Sequence, residues 1–61
     1  MTLHEYIVRL INAGEDRNMI ITTNAGRHYH VWVADHDLRY CDYVPEDVQE
    51  TDIDDLLILN C

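Results

Sequence analysis

The chain has 61 residues, with twelve acidic residues against four basic ones and a formal net charge of −8. A chain this short makes one domain with a thin core, because only about 60% of its unfolded surface can be buried. That leaves no room for a cofactor domain beside a substrate domain. With four arginines and no lysine, it is poorly equipped to neutralise phosphates, which argues against direct nucleic-acid binding and against an anionic membrane surface.

Thr2 to Ala13 is predicted to be a helix. Thr2 followed by Glu5 fits a capping box, in which each side chain satisfies an orphan backbone donor of the first turn. Leu3, Tyr6, Ile7, Leu10 and Ile11 repeat at the spacing of one buried helical face. Gly14 stands where a left-handed residue would end the helix. Met19 to Thr23 is apolar and rich in β-branched residues, which predicts a strand. Asn24-Ala25-Gly26 supplies turn chemistry. Arg27 to Val33 alternates, with Tyr29, Val31 and Val33 on one face and His28, His30 and Trp32 on the other. Asp35-His36-Asp37 reads as a second turn, and Leu38 to Val44 as a third strand. Pro45 stops the sheet and suits the start of a helix. Glu46 and Asp47 then complement the dipole of its first turn, and Thr51 with Asp54 offers a second cap-like start, so either one irregular helix or two short ones fits. Leu56 to Leu59 is either the end of that helical segment or an edge strand, since periodicity cannot decide four residues.

The expected architecture is α+β: an N-terminal helix packed on a three-stranded antiparallel sheet, with a short C-terminal helical segment. Residues 1–61 form a single small domain. The expected core is Leu3, Ile7, Leu10, Ile11, Ile21, Tyr29, Val31, Val33, Cys41 and Leu56. Hydrophobic residues make up 48% of the chain, more than a disordered acidic tail carries. There is no run of about 18 apolar residues to span a membrane, and no basic-then-apolar opening that reads as a secretory signal. Cys41 and Cys61 are too few for a disulfide scaffold and read as reduced thiols. The expected compartment is the cytoplasm.

Conventional site chemistry is sparse. His28 and His30, two apart on a strand, point the same way, and His36, Asp35 or Asp37 could complete a zinc shell. No Cys-x-x-Cys accompanies them, so the expectation is a polar sheet face with no metal and no cofactor. The chain has no serine and no lysine. Cys41 with a histidine and an aspartate is the one imaginable nucleophilic set, and the expectation is that the protein is not an enzyme. Trp32 would anchor an interface if the helices cover only one face of the sheet.

The acids carry the functional signal. Residues 1–41 hold Glu5, Glu15, Asp16, Asp35 and Asp37 against four arginines, a net of −1. Residues 42–61 hold Asp42, Glu46, Asp47, Glu50, Asp52, Asp54 and Asp55 with no base, a net of −7. Val48, Ile53, Leu56 and Leu57 interleave with these acids and should dock them on the domain. On one continuous helix, Glu46, Asp47, Glu50 and Asp54 would form a row at about 5–6 Å spacing. Such a row can stand in for the phosphates of one DNA strand, whose duplex carries a charge per about 1.7 Å of axis. Crowded carboxylates should also repel and raise one another's pKa values.

In size, charge and inferred architecture the chain resembles the small anti-CRISPR proteins of phages and mobile elements. It is most similar to those that act as double-stranded DNA mimics, including inhibitors of type I-C systems. The resemblance implies an inhibitor in the bacterial host cell that occupies the basic DNA-binding groove of a CRISPR surveillance complex. The residues themselves predict a fixed acidic surface for a basic partner. The predicted binding face is Asp35, Asp37, Asp42, Glu46, Asp47, Glu50, Asp52, Asp54 and Asp55. The alternative is a protein-binding module, such as an antitoxin-like regulatory subunit, that uses the acidic surface or Leu56 to Leu59.

Overall fold

The structure is a computed structural model, and it describes residues 1–34 and 43–60. Helix α1 (Leu3–Asn12) is followed by strands β1 (Arg17–Thr22) and β2 (His28–Val33). Then come the one-turn helix α2 (Glu46–Gln49), a 3₁₀ turn (Ile53–Asp55) and strand β3 (Leu57–Asn60). The α+β expectation is met.

Local sequence sets both ends of α1. The Thr2 hydroxyl accepts the Glu5 N–H at 3.2 Å, and the Glu5 carboxylate accepts the Thr2 N–H at 3.2 Å, which closes the capping box. At the other end Gly14 takes φ 72°. Its N–H reaches the Ile11 carbonyl at 3.0 Å, and the Glu15 N–H reaches the Leu10 carbonyl at 3.1 Å. Those two bonds are the Schellman pair that satisfies the last carbonyls of a helix.

β1 and β2 form an antiparallel hairpin with Ile21 opposite Tyr29 and Met19 opposite Val31. Gly26, at φ 80°, closes its loop: the Gly26 N–H bonds to the Thr23 carbonyl, and the Thr23 N–H to the Arg27 carbonyl, both at 2.9 Å. The third strand differs from the expectation. β3 pairs antiparallel with the other edge of β1, giving the order β2-β1-β3, so β1 is central and the sheet is not a meander. Of the strand expected over Leu38 to Val44, residues 38–42 lie outside the described residues. Tyr43 and Val44 form a turn before Pro45.

Among the described residues, the buried hydrophobic side chains lie on one side of the sheet. Leu3, Ile7, Leu10 and Ile11 of α1 meet Met19, Ile21, Val31 and Val33, and Val44 and Val48 close the end. Tyr29 and Leu56, expected in the core, are half-buried against it, and Cys41 lies outside the described residues. Met19, Val44 and Val48 are core residues that the expected list omitted. The segment after α2 is pinned to the chain start by backbone bonds. The Leu3 N–H reaches the Thr51 carbonyl at 2.9 Å, and the Ile53 N–H reaches the Met1 carbonyl at 3.0 Å.

Candidate acidic interface

The acidic segment folds as two short turns. Pro45 precedes the first turn as its N-cap, with its carbonyl accepting from Val48 and Gln49 at 3.0 Å. The Gln49 amide donates to the Val44 carbonyl at 2.7 Å, which ties the turn to a buried residue just before it. Val48 faces the core, and Glu46, Asp47 and Glu50 face solvent. After Glu50 the chain straightens. Asp52, in extended conformation, accepts the Asp54 N–H at 2.9 Å and so caps the 3₁₀ turn. This corrects one expectation and decides between two. Asp52, not Thr51, is the second cap, because the Thr51 hydroxyl is spent donating to the Asp47 carbonyl at 2.8 Å. Of the two arrangements open to the segment, the two short pieces form, so the row through Glu46, Asp47, Glu50 and Asp54 that one continuous helix would make is absent, with Asp54 in a separate turn.

The acids therefore spread over several aspects of one docked segment. Glu46 and Glu50 line a shallow cleft of about 280 Å³ with Thr2, His4 and Gln49. Asp47 points to a different cleft, of about 420 Å³, shared with Arg27, Tyr29, Val48 and Leu56. Asp54 and Asp55 are exposed on the 3₁₀ turn. Asp35, Asp37 and Asp42 lie outside the described residues. Among the described residues the ion pairs are Met1 N-terminus to Asp52 at 3.4 Å and Glu15 to Arg17 at 2.9 Å. Glu46, Asp47, Glu50, Asp54 and Asp55 thus have no cationic partner among the described residues.

Crowding does not decide the proton affinity of Asp52. The Asp54 backbone N–H, helped by the N-terminal ammonium, holds its carboxyl below the usual aspartate value. The expected upward shift is reversed there, because a hydrogen bond aimed at the carboxylate outweighs its partial desolvation. Glu5 is lowered in the same way, first by the Thr2 N–H and then by the Thr2 hydroxyl.

The sheet face opposite α1 is open. Trp32 is 62% exposed, and its indole N–H donates to Asp16 at 2.8 Å. His28 and His30 share that face, the first bonded to the Thr22 hydroxyl at 2.9 Å and the second to the Asn18 side chain. Of the residues proposed to complete a zinc shell, Asp35, His36 and Asp37 lie outside the described residues. No group of three ligating side chains occurs among the described residues. Leu57 and Leu59 also project from this face, 57% and 52% exposed. The sequence placed apolar side chains at these positions, but their shared face with Trp32 depends on the β1–β3 pairing. No described helix is long and apolar enough to cross a membrane. Comparison with known protein families, with curated proteins and with solved structures gave no match.

Proposed function

We propose that the protein is a non-enzymatic inhibitor that offers the carboxylates of residues 42–61 to a basic DNA-binding groove in a bacterial protein complex. The CRISPR surveillance complex is the partner implied by resemblance to the small DNA-mimicking anti-CRISPR proteins. One observation carries the reading. Glu46, Asp47, Glu50, Asp54 and Asp55 are exposed and without cationic partners among the described residues, yet their segment is anchored by Val48 and by backbone bonds to the start of α1. Like charges held together destabilise the folded chain, so their retention on a fixed segment supports a partner that compensates them. Because Glu46 and Glu50 line one cleft and Asp47 another, the surface suits a groove that meets carboxylates from several directions better than a flat strip of lysines and arginines.

The test is competition. A purified type I-C surveillance complex is incubated with labelled duplex target and increasing protein. Displacement of the duplex, weakening steeply as salt is raised, is the expected result, because exposed charge pairs are screened over about 8 Å at physiological ionic strength. Undisturbed duplex binding at saturating protein refutes the CRISPR assignment.

A further inference from the structure

Between the β1–β2 loop and the docked acidic segment lies the larger of the two clefts described above, of about 420 Å³. Its apolar part is Tyr29, Pro45, Val48 and Leu56, all buried or half-buried, and its two charged residues, Arg27 and Asp47, are exposed. They carry opposite charge, yet neither is paired with the other or with any other described residue. The backbone beneath both is fixed from within the cleft, by two threonines that line it. The Thr23 hydroxyl accepts the Arg27 N–H at 3.2 Å, and the Thr51 hydroxyl donates to the Asp47 carbonyl at 2.8 Å. Val48, next to Asp47, is buried in the core. An unpaired cation and an unpaired anion are thus held beside one apolar surface before anything binds there.

We infer that this cleft binds a free α-amino acid with an apolar side chain. The ligand carboxylate pairs with the Arg27 guanidinium, whose fork suits two parallel N–H···O bonds. The ligand ammonium meets Asp47, and the side chain covers Tyr29, Val48 and Leu56. Charge selects a dipolar ligand. An anion is repelled by a chain of net charge −8. A simple cation is repelled here by Arg27, and it finds Glu46, Glu50, Asp54 and Asp55 exposed elsewhere without cationic partners among the described residues. A ligand carrying both charges uses both groups. Size agrees with that choice, since the volume is near the lower end of the roughly 300–1,000 Å³ of small-ligand sites. In a free amino acid both charged groups share one carbon, beside the apolar side chain. In a peptide the terminal charges move apart by about 3.3–3.6 Å for each residue, so one small cleft soon fails to meet both. Exposed charges and a shallow cleft make the binding weak, with a Kd on the order of 1 mM. No bond is made or broken, so the site adds a ligand and not a reaction. The inference shares Asp47 with the proposed function and does not depend on it.

The test is a titration of isotope-labelled protein with L-leucine up to about 20 mM, read by NMR, a range that spans the expected affinity. The expected result is saturable shifts of the Val48 and Leu56 methyls and of the Arg27 side-chain N–H groups, with a Kd on the order of 1 mM. Glycine keeps both charges without the side chain, isocaproate lacks the ammonium, and isoamylamine lacks the carboxylate. Each should bind at least about fivefold more weakly than leucine, because each forfeits one of the three contacts. Arg27→Gln and Asp47→Asn should each weaken leucine binding by about fivefold or more. Both positions are exposed, so the fold should survive, which circular dichroism checks. Absence of saturable shifts overturns the inference. So does isoamylamine binding as tightly as leucine, which would mark a site for cations alone, or unchanged leucine binding in both variants. Shifts produced by a leucine-led tripeptide but not by leucine would assign the cleft to a peptide and overturn it as well.

Discussion

Val48 is the side chain on which the placement of the acidic segment depends. α2 is a single turn of four residues, Glu46–Gln49, far below the length at which a helix persists unaided. It holds its position because Val48 is 8% exposed against the core and because Gln49 bonds back to Val44. Val48→Ala removes two buried carbon groups at about 0.8 kcal/mol each, and a residual cavity adds to that, for a loss of about 1.5–2.5 kcal/mol. A domain of this length has about 3–9 kcal/mol in total, so the change is a large fraction. Urea denaturation followed by circular dichroism reads it. With a slope of about 1 kcal/mol/M for so small a chain, the midpoint should fall by about 1.5–2.5 M. Binding to a basic partner should weaken too, although no acid has been changed, because the carboxylates lose their fixed positions. A midpoint within about 0.3 M of the parent would show that Val48 does not anchor the segment, and the argument for a preformed acidic surface would lose its basis.

Leu10 is 5% exposed in the α1 face, and Leu10→Ala should cost about 2–5 kcal/mol by thermal or urea unfolding, a large fraction of the total. Thr2→Ala removes the hydroxyl half of the capping box and should cost about 1 kcal/mol by urea titration, with helical ellipticity retained. For pH, Glu5 and Asp52 are both lowered from ordinary values of 4.5 and 3.8. The native state therefore binds their protons less readily than the unfolded chain does. Their stabilisation is fully present above those ordinary values and is lost as pH falls through the lower native ones. The melting temperature should accordingly decline below about pH 4.5, and the decline should be shallower in Asp52→Asn. A melting temperature that rises on acidification through this range would contradict the hydrogen-bonding account.

The legible parts of the fold are those governed by neighbours in sequence. Thr2, Glu5 and Gly14 mark both ends of α1 because capping is local chemistry. Gly26 and the alternation of Tyr29, Val31 and Val33 mark the hairpin for the same reason. β3 was not decidable, because Leu57–Asn60 is too short to have a period, and it becomes a strand only when the free edge of β1 accepts it. Met19 reads as one more apolar residue until its pairing with Val31 places it under α1. At the site, the excess of acids over residues 42–61 was plain from composition, whereas their arrangement was not. Thr51 reads as the second cap in sequence, but its hydroxyl bonds back to Asp47, and Asp52 takes that role. That single choice splits the row that one continuous helix would make into two turns.

The central proposal is that carboxylates of the docked segment, without cationic partners among the described residues, take the place of DNA phosphates. Its most direct test is a variant carrying Glu46→Gln, Asp47→Asn, Glu50→Gln and Asp54→Asn together, shown by circular dichroism to be folded. The parent and the variant are then compared in competition with duplex DNA for the surveillance complex. At about 0.5–1 kcal/mol for each exposed pair, the four changes remove about 2–4 kcal/mol, so the variant should compete about 30-fold less well or worse. A folded variant that competes as well as the parent would contradict the claim.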